Sequence, residues 1–298
     1  VAATAAPIVD KEKEVTFELT KKSAETGILL DGARYELYRV AEDESGRHEE
    51  FISTLVSGSM TQKDASGKDV PVKGKASYNL MYGSYLVKEV YPADGYTVDD
   101  TEYTFTLDMN SVTYDSKGNG VYSIEVKDEP IKGKVSLNKK GNVVTAYDDN
   151  THVFNTKKTS IEGAVYGLYA REDIVKDNGD LVWAAGSLVD KKTTDENGDI
   201  VFTTTDRNGN VTDEFYLGSY HAQEISVPAG FALDKEEYDV YLTWDNKTNQ
   251  FNDIRSDSVV EEEEDPIGNN SPDPNKDKYV LDVGSKVNNI IKNATTVT

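Results

Sequence analysis

Four landmarks occur twice in this chain, in the same order and at matching offsets, and no other feature constrains its architecture as strongly. Gly32-Ala33-Arg34-Tyr35-Glu36-Leu37-Tyr38 returns as Gly163-Ala164-Val165-Tyr166-Gly167-Leu168-Tyr169. Gly83-Ser84-Tyr85 followed by Glu89 returns as Gly218-Ser219-Tyr220 followed by Glu224. A turn comes after each glutamate, Pro92-Ala93-Asp94-Gly95-Tyr96 in one copy and Pro228-Ala229-Gly230-Phe231 in the other. Upstream, Leu19-Thr20-Lys21 matches Leu137-Asn138-Lys139. The chain of 298 residues is therefore read as two copies of one domain, each long enough to bury its own core.

Within each copy the hydrophobic pattern has period two. Val15-Thr16-Phe17-Glu18-Leu19, Tyr103 to Leu107, Tyr122 to Val126 and Tyr238 to Leu242 all alternate apolar with polar residues, the signature of half-buried strands. Asn197-Gly198 and Asn208-Gly209 read as hairpin turns. Aromatic residues are mostly tyrosine, 18 against 8 Phe and 2 Trp, which suits half-exposed sheets better than a helical bundle. The fold class is all-β, two tandem Ig-like β-sandwiches. Residues 1–11 read as a linker from a preceding segment, 12–131 as the first domain and 132–292 as the second. The second carries an acidic, Pro- and Asn-rich loop at about 257–278. Residues 293–298 read as the start of a following domain.

Composition removes several function classes. A formal net charge of −22 disfavours nucleic acid and anionic membrane as partners, because both would be repelled. With no cysteine there is no disulfide, thiolate metal site or cysteine nucleophile. No apolar run is long enough to cross a membrane, and the opening residues lack the basic and apolar regions of a signal peptide. His48, His152 and His221 are scattered without metal-ligand spacing. Asp273-x-Asn275-x-Asp277 imitates the start of a calcium loop, but Lys278 stands where the turn glycine belongs. No phosphate-cradling glycine loop or serine triad is present, so neither enzymatic turnover nor a cofactor is expected.

The landmarks together resemble the Cna-B domain (SpaA-type, prealbumin-like), and the resemblance covers nearly the whole chain, twice. That family builds stalks, pilins and adhesin shafts on Gram-positive surfaces. Many of its members join a first-strand lysine to a last-strand asparagine or aspartate through an intramolecular isopeptide bond, assisted by a buried glutamate. Carried onto this sequence, the resemblance implies Lys21, Glu89 and Asp128 in copy one, with Lys139, Glu224 and Asn289 in copy two. Aligning the two Ile-Lys junctions would select Asn288 instead of Asn289. A closing strand at Val259-Val260 would bring Glu264 or Asp265 to the acceptor position.

The residues permit this chemistry. Lys21 shares inward parity with Phe17 and Leu19, and Asp128 shares it with Ile124 and Val126, whereas Lys22 and Lys140 point to solvent. Burial lowers a lysine pKa and raises carboxyl pKa values, favouring a neutral amine beside a protonated acid. The resemblance implies a structural stalk or shaft segment of a cell-wall-anchored surface protein, outside the cell, whose partners are the flanking domains of its own polypeptide. Two alternatives stand beside it. One is an adhesin module that binds a host ligand or glycan through loops of the longer second copy, around Val143–Ser160 and Glu261–Asp277; the other is a pilin subunit.

Overall fold

A computed structural model describes residues 14–115, 118–206, 208–248, 250–251 and 280–288, the last stretch as backbone only. Every regular element among the described residues is a β-strand. The chain divides into two compact units between Pro130 and Ile131.

The first unit has two four-stranded sheets packed face to face, with a small separate hairpin of Thr61–Lys63 and Asp69–Pro71. Its opening strand, Val15–Ser23, alternates without interruption: Val15, Phe17, Leu19, Lys21 and Ser23 are all buried. That strand lies antiparallel to Lys75–Leu80 on one side and parallel to the closing strand Gly120–Asp128 on the other. The parallel register runs unbroken from Val15 opposite Gly120 to Ser23 opposite Asp128. The second sheet has the order Gly46–Val56, Arg34–Asp43, Gly83–Tyr91, Tyr103–Leu107. Aromatic stacking joins the two sheets, with Phe17 against Phe105 at 4.7 Å between ring centroids and Phe105 against Tyr122 at 5.0 Å.

The second unit repeats this plan with additions. Its opening strand is drawn out to Lys132–Asp148 and pairs with Val153–Ser160, Asp199–Val201, Phe215–Tyr216 and the closing strand Val280–Asn288. The facing sheet has the order Leu188–Thr193, Val165–Ala170, Gly218–Ser226, Glu237–Leu242. Beyond Gly141 the opening strand and its partner Val153–Ser160 form an exposed two-stranded ribbon. This is where the additional Val143–Ser160 segment goes; the acidic loop lies outside the described residues.

Each sequence landmark has a physical reason. Gly32 and Gly163 take left-handed φ values of +91° and +84°, open only to a residue without a Cβ clash. The following Ala33 and Ala164 are fully buried, and their N–H groups donate to Ser57 Oγ (3.0 Å) and Thr194 Oγ1 (2.9 Å). Tyr85 and Tyr220 each donate their hydroxyl to the carbonyl four residues back, Met81 and Tyr216, both at 2.8 Å. The turns fare unequally. Asn208-Gly209 does join a hairpin, Thr204–Thr205 with Val211–Thr212. Asn197-Gly198 does not, because the strands flanking it belong to different sheets, so the turn carries the chain from one sheet to the other.

That crossing turn also fixes a lysine. Gly198 (φ +79°) accepts the Lys139 N–H at 2.7 Å, and Gly74 (φ +70°) accepts the Lys21 N–H at the same distance. The carbonyls of the two lysines in turn accept Ile161 N–H and Leu30 N–H, both at 3.0 Å. A Cβ on Gly198 would fall 2.3 Å from the Lys139 carbonyl oxygen, whereas one on Gly209 (φ +82°) meets nothing within 4 Å. Gly209→Ala should therefore cost only the left-handed strain, about 1–2 kcal/mol. Gly198→Ala should cost clearly more by chemical denaturation, and equal losses would contradict the grip on Lys139.

Candidate site of intramolecular bond formation

In the first unit three side chains from three strands meet in the core. Lys21 Nζ lies 3.0 Å from Glu89 Oε1 and in direct contact with Asp128 Oδ1, and all three side chains are wholly buried. The opening strand brings Lys21 and the closing strand brings Asp128. Asp128 sits opposite Ser23, two residues beyond Lys21 on the opening strand. Glu89 comes from the facing sheet, in parity with Tyr85 and Val87. A β-bulge follows it at once: Tyr35 pairs with Glu89 but Arg34 pairs with Tyr91, which leaves Val90 as the extra residue. The Asp99 N–H donates to Glu89 Oε2 at 2.7 Å, leaving Oε1 for the lysine. Beneath the amine lies the Tyr35 ring, 5.4 Å from Nζ to its centroid.

The second unit builds the same pocket from the same landmarks. Lys139 Nζ is 3.1 Å from Glu224 Oε1, with both side chains wholly buried. Glu224 Oε2 accepts the Asp234 N–H at 2.8 Å. The Tyr166 ring lies 5.5 Å from Nζ. The bulge recurs, Tyr166 pairing with Glu224 and Val165 with Ser226.

The closing strand Val280–Asn288 runs parallel to the opening strand, as its counterpart does in the first unit. Its register carries one extra residue, since Ser136 pairs with Asp282 but Asn138 with Ser285. Asn288 consequently lies opposite Gly141, the place that Asp128 takes opposite Ser23. Asn289 lies outside the described residues, as do Glu264, Asp265 and the Asp273–Asp277 stretch.

Burial dominates the electrostatics. It pushes the Asp128 carboxyl up to about 7, with the Glu89 charge adding to the shift and the Lys21 hydrogen bond opposing it. It lowers the Lys139 amine, against the pull of Glu224. Tyr35 and Tyr166 are pushed up by burial and then by the adjacent glutamates, so both stay neutral. In the first unit burial thus draws the Asp128 carboxyl toward its neutral form, and in the second it draws the Lys139 amine toward its own, each a protonation state that amide formation requires. The solvent-facing neighbour Lys22 only pairs with Glu125, at 2.5 Å.

Two parts of the site escaped the sequence reading. One is the pair of gripping glycines, Gly74 and Gly198. The other is Asp99 with Tyr103 and its counterpart Asp234 with Tyr238. Their signal was present: each aspartate follows its glutamate by ten residues and precedes its tyrosine by four.

Other constellations dissolve. Ser45 Oγ and Asp43 Oδ1 both approach His48 Nε2, at 2.8 and 3.0 Å, on an exposed turn, so no proton relay through the ring exists. Among the described residues no group of His, Asp and Glu could hold a metal ion, and no helix is long and apolar enough to cross a membrane.

Comparison with known proteins agrees with the duplicated architecture. The model of the SpaA family, described as a prealbumin-like fold domain, matches residues 15–120 and 149–255. The chain belongs to this family and contains two tandem copies of its domain. Among solved structures it is similar to the Bacillus anthracis TIE protein (16% identity, TM-score 0.46), covering 93% of this chain and 34% of that one. It is also similar to a C-terminal fragment of the pilus adhesin SpaC from Lactobacillus rhamnosus GG (15%, TM-score 0.37, 92% and 97%). A third is BcpA, the major pilin subunit of Bacillus cereus (14%, TM-score 0.29, 93% and 100%). No curated protein matches the chain.

The two pockets differ in one testable respect. If the two bonds form, both lysines must be neutral to react, and while both amines stay mostly protonated that requirement cancels in the ratio of the two bond-forming rates. The acid requirement remains, because an ionised Asp128 is a poor electrophile, while an asparagine acceptor in the second unit does not titrate. The rate in unit one relative to unit two should fall as pH rises through about 7, by about tenfold per pH unit beyond it. Time-resolved peptide mass analysis of freshly synthesised chain would measure this, and a pH-independent ratio would contradict it.

Proposed function

We propose that this chain is a load-bearing stalk segment of a Gram-positive cell-wall-anchored surface protein, acting outside the cell between flanking domains of its own polypeptide. Each of its units is closed by an autocatalytic lysine-to-carbonyl bond. The observation that supports this reading best is the pair of wholly buried lysines, each against a buried glutamate and each on an opening strand that lies parallel to the closing strand.

In the first unit the Lys21 amine attacks Asp128 Cγ. A C–N bond forms, a C–O bond breaks, and the carboxyl hydroxyl leaves with one amine proton as water. Glu89 shuttles that proton and hydrogen-bonds the carbonyl oxygen as charge develops on it. In the second unit Lys139 attacks the side-chain amide of Asn288, which the backbone register favours, or of its neighbour Asn289. The leaving group there is ammonia, and Glu224 has the role of Glu89. Neither reaction needs a cofactor, and each happens once.

The parallel pairing gives the bond its mechanical meaning. The chain enters the first unit at one end of the opening strand and leaves at the opposite end of the closing strand. A link from Lys21 to Asp128 would pass tension from one strand directly to the other, and the chain between them would carry none. It would also close a loop across a sequence separation of 107 residues, which the chain-entropy argument for cross-links values at about 4–5 kcal/mol.

A protease digest analysed by tandem mass spectrometry tests the reading. It should contain one branched peptide joining Lys21 to Asp128 and another joining Lys139 to Asn288 or Asn289. Glu89→Gln, which preserves shape, should remove only the first and lower the melting temperature of the first unit. Linear peptides covering both lysines in the unmodified chain would sink the proposal.

A further inference from the structure

Resting on the bond-forming reading above, we propose that Asp99 and Asp234 are positioning residues. Each locks the turn after its glutamate so that one carboxyl oxygen is held by the backbone and the other is aimed at the lysine.

The geometry recurs in both units. Asp99 gives its N–H to Glu89 Oε2 at 2.7 Å, and Asp234 gives its N–H to Glu224 Oε2 at 2.8 Å. The aspartate carboxylates then fasten the turn itself. Asp99 Oδ1 accepts Thr101 N–H and Asp234 Oδ1 accepts Glu236 N–H, both at 3.0 Å. The second oxygen accepts a tyrosine hydroxyl, from Tyr103 in one unit and Tyr238 in the other. Tyr103 opens the strand Tyr103–Leu107 and Tyr238 is the second residue of Glu237–Leu242, and both strands pair with those that carry the glutamates.

A chain of contacts therefore runs from the sheet through tyrosine and aspartate to Oε2, and leaves Oε1 at 3.0 and 3.1 Å from the two lysines. The bulge just after each glutamate makes this fastening necessary, because ladder hydrogen bonds are interrupted where the side chain must be held most closely. A proton shuttle displaced by about 1 Å loses up to about a hundredfold in rate. Neither aspartate touches the reacting atoms, so each acts through its glutamate.

The test uses the whole chain made by cell-free synthesis, quenched at intervals and analysed for bonded peptide in each unit separately. Asp99→Ala should slow bond formation in the first unit by about tenfold or more, with the second unit of the same molecules closing at its usual rate. Asp99→Asn should restore it to within about threefold, because the amide oxygen can still accept Thr101 N–H while the amide nitrogen meets the Tyr103 hydroxyl. Asp234→Ala should show the reverse selectivity.

Asp99→Ala closing at the original rate would overturn the proposal. So would Asp99→Asn as slow as Asp99→Ala, since charge rather than positioning would then be the cause. If Asp99→Ala leaves the first unit unfolded by limited proteolysis, Tyr103→Phe decides, because it deletes only the hydroxyl. A severalfold slower closure is expected there, and an unchanged rate rejects the idea. Absence of any bonded peptide in the unsubstituted chain would instead reject the bond-forming reading on which this rests.

Discussion

A buried lysine amine held against a buried glutamate is the contact that both units share, and in the first unit a second carboxyl, Asp128, closes on the same amine. Isolated, any of the three groups would be costly to bury as an ion. Together they reduce that cost in two ways, by pairing opposite charges and by exchanging protons until the cluster is close to neutral. The rise of Asp128 to about 7 in the first unit and the lowering of Lys139 in the second both have burial as their largest cause. Few arrangements satisfy the contact. It needs an uninterrupted period-two strand to turn the lysine inward, a parallel neighbour to bring the acceptor alongside, and a glutamate from the opposite sheet.

The surrounding structure holds that geometry from several directions. Gly74 and Gly198 grip the lysine backbones through their carbonyls. The Gly-Ala turns with Ser57 and Thr194 place the tyrosines whose rings lie beneath the amines. The same set of contacts arises in both units despite the long insertions of the second, so the pocket tolerates change at the periphery and little at its centre. The cysteine-free composition fits this design. A staple made from lysine and a carboxyl or amide side chain would be indifferent to redox conditions.

Much of this was legible in the sequence because period two is a strong signal where one face is buried. Lys21 in step with Phe17 and Leu19, and Glu89 in step with Tyr85 and Val87, could be read by counting. Counting fails where a strand is irregular. Parity through Val283 and Val287 selects Asn289, which lies outside the described residues, while the extra residue between Asp282 and Ser285 puts Asn288 opposite Gly141. The glycine grips were hidden because they are long-range contacts from dissimilar segments, Lys73-Gly74-Lys75 and Asn197-Gly198-Asp199. Asp99 and Asp234 were hidden among 54 acidic residues, where an aspartate attracts no notice until its hydrogen bonds are seen. Asn197-Gly198 was misread as a hairpin because local turn chemistry does not say which sheet the next strand joins.

The most direct measurement is the mass of the intact, fully denatured chain. Two closed units should leave it about 35 Da below the sum of its residues, one water and one ammonia, and about 18 Da of that deficit should vanish when Lys21 is replaced. A mass equal to the sequence sum would mean that the buried lysines are held by ion pairs alone, and the covalent account would be wrong.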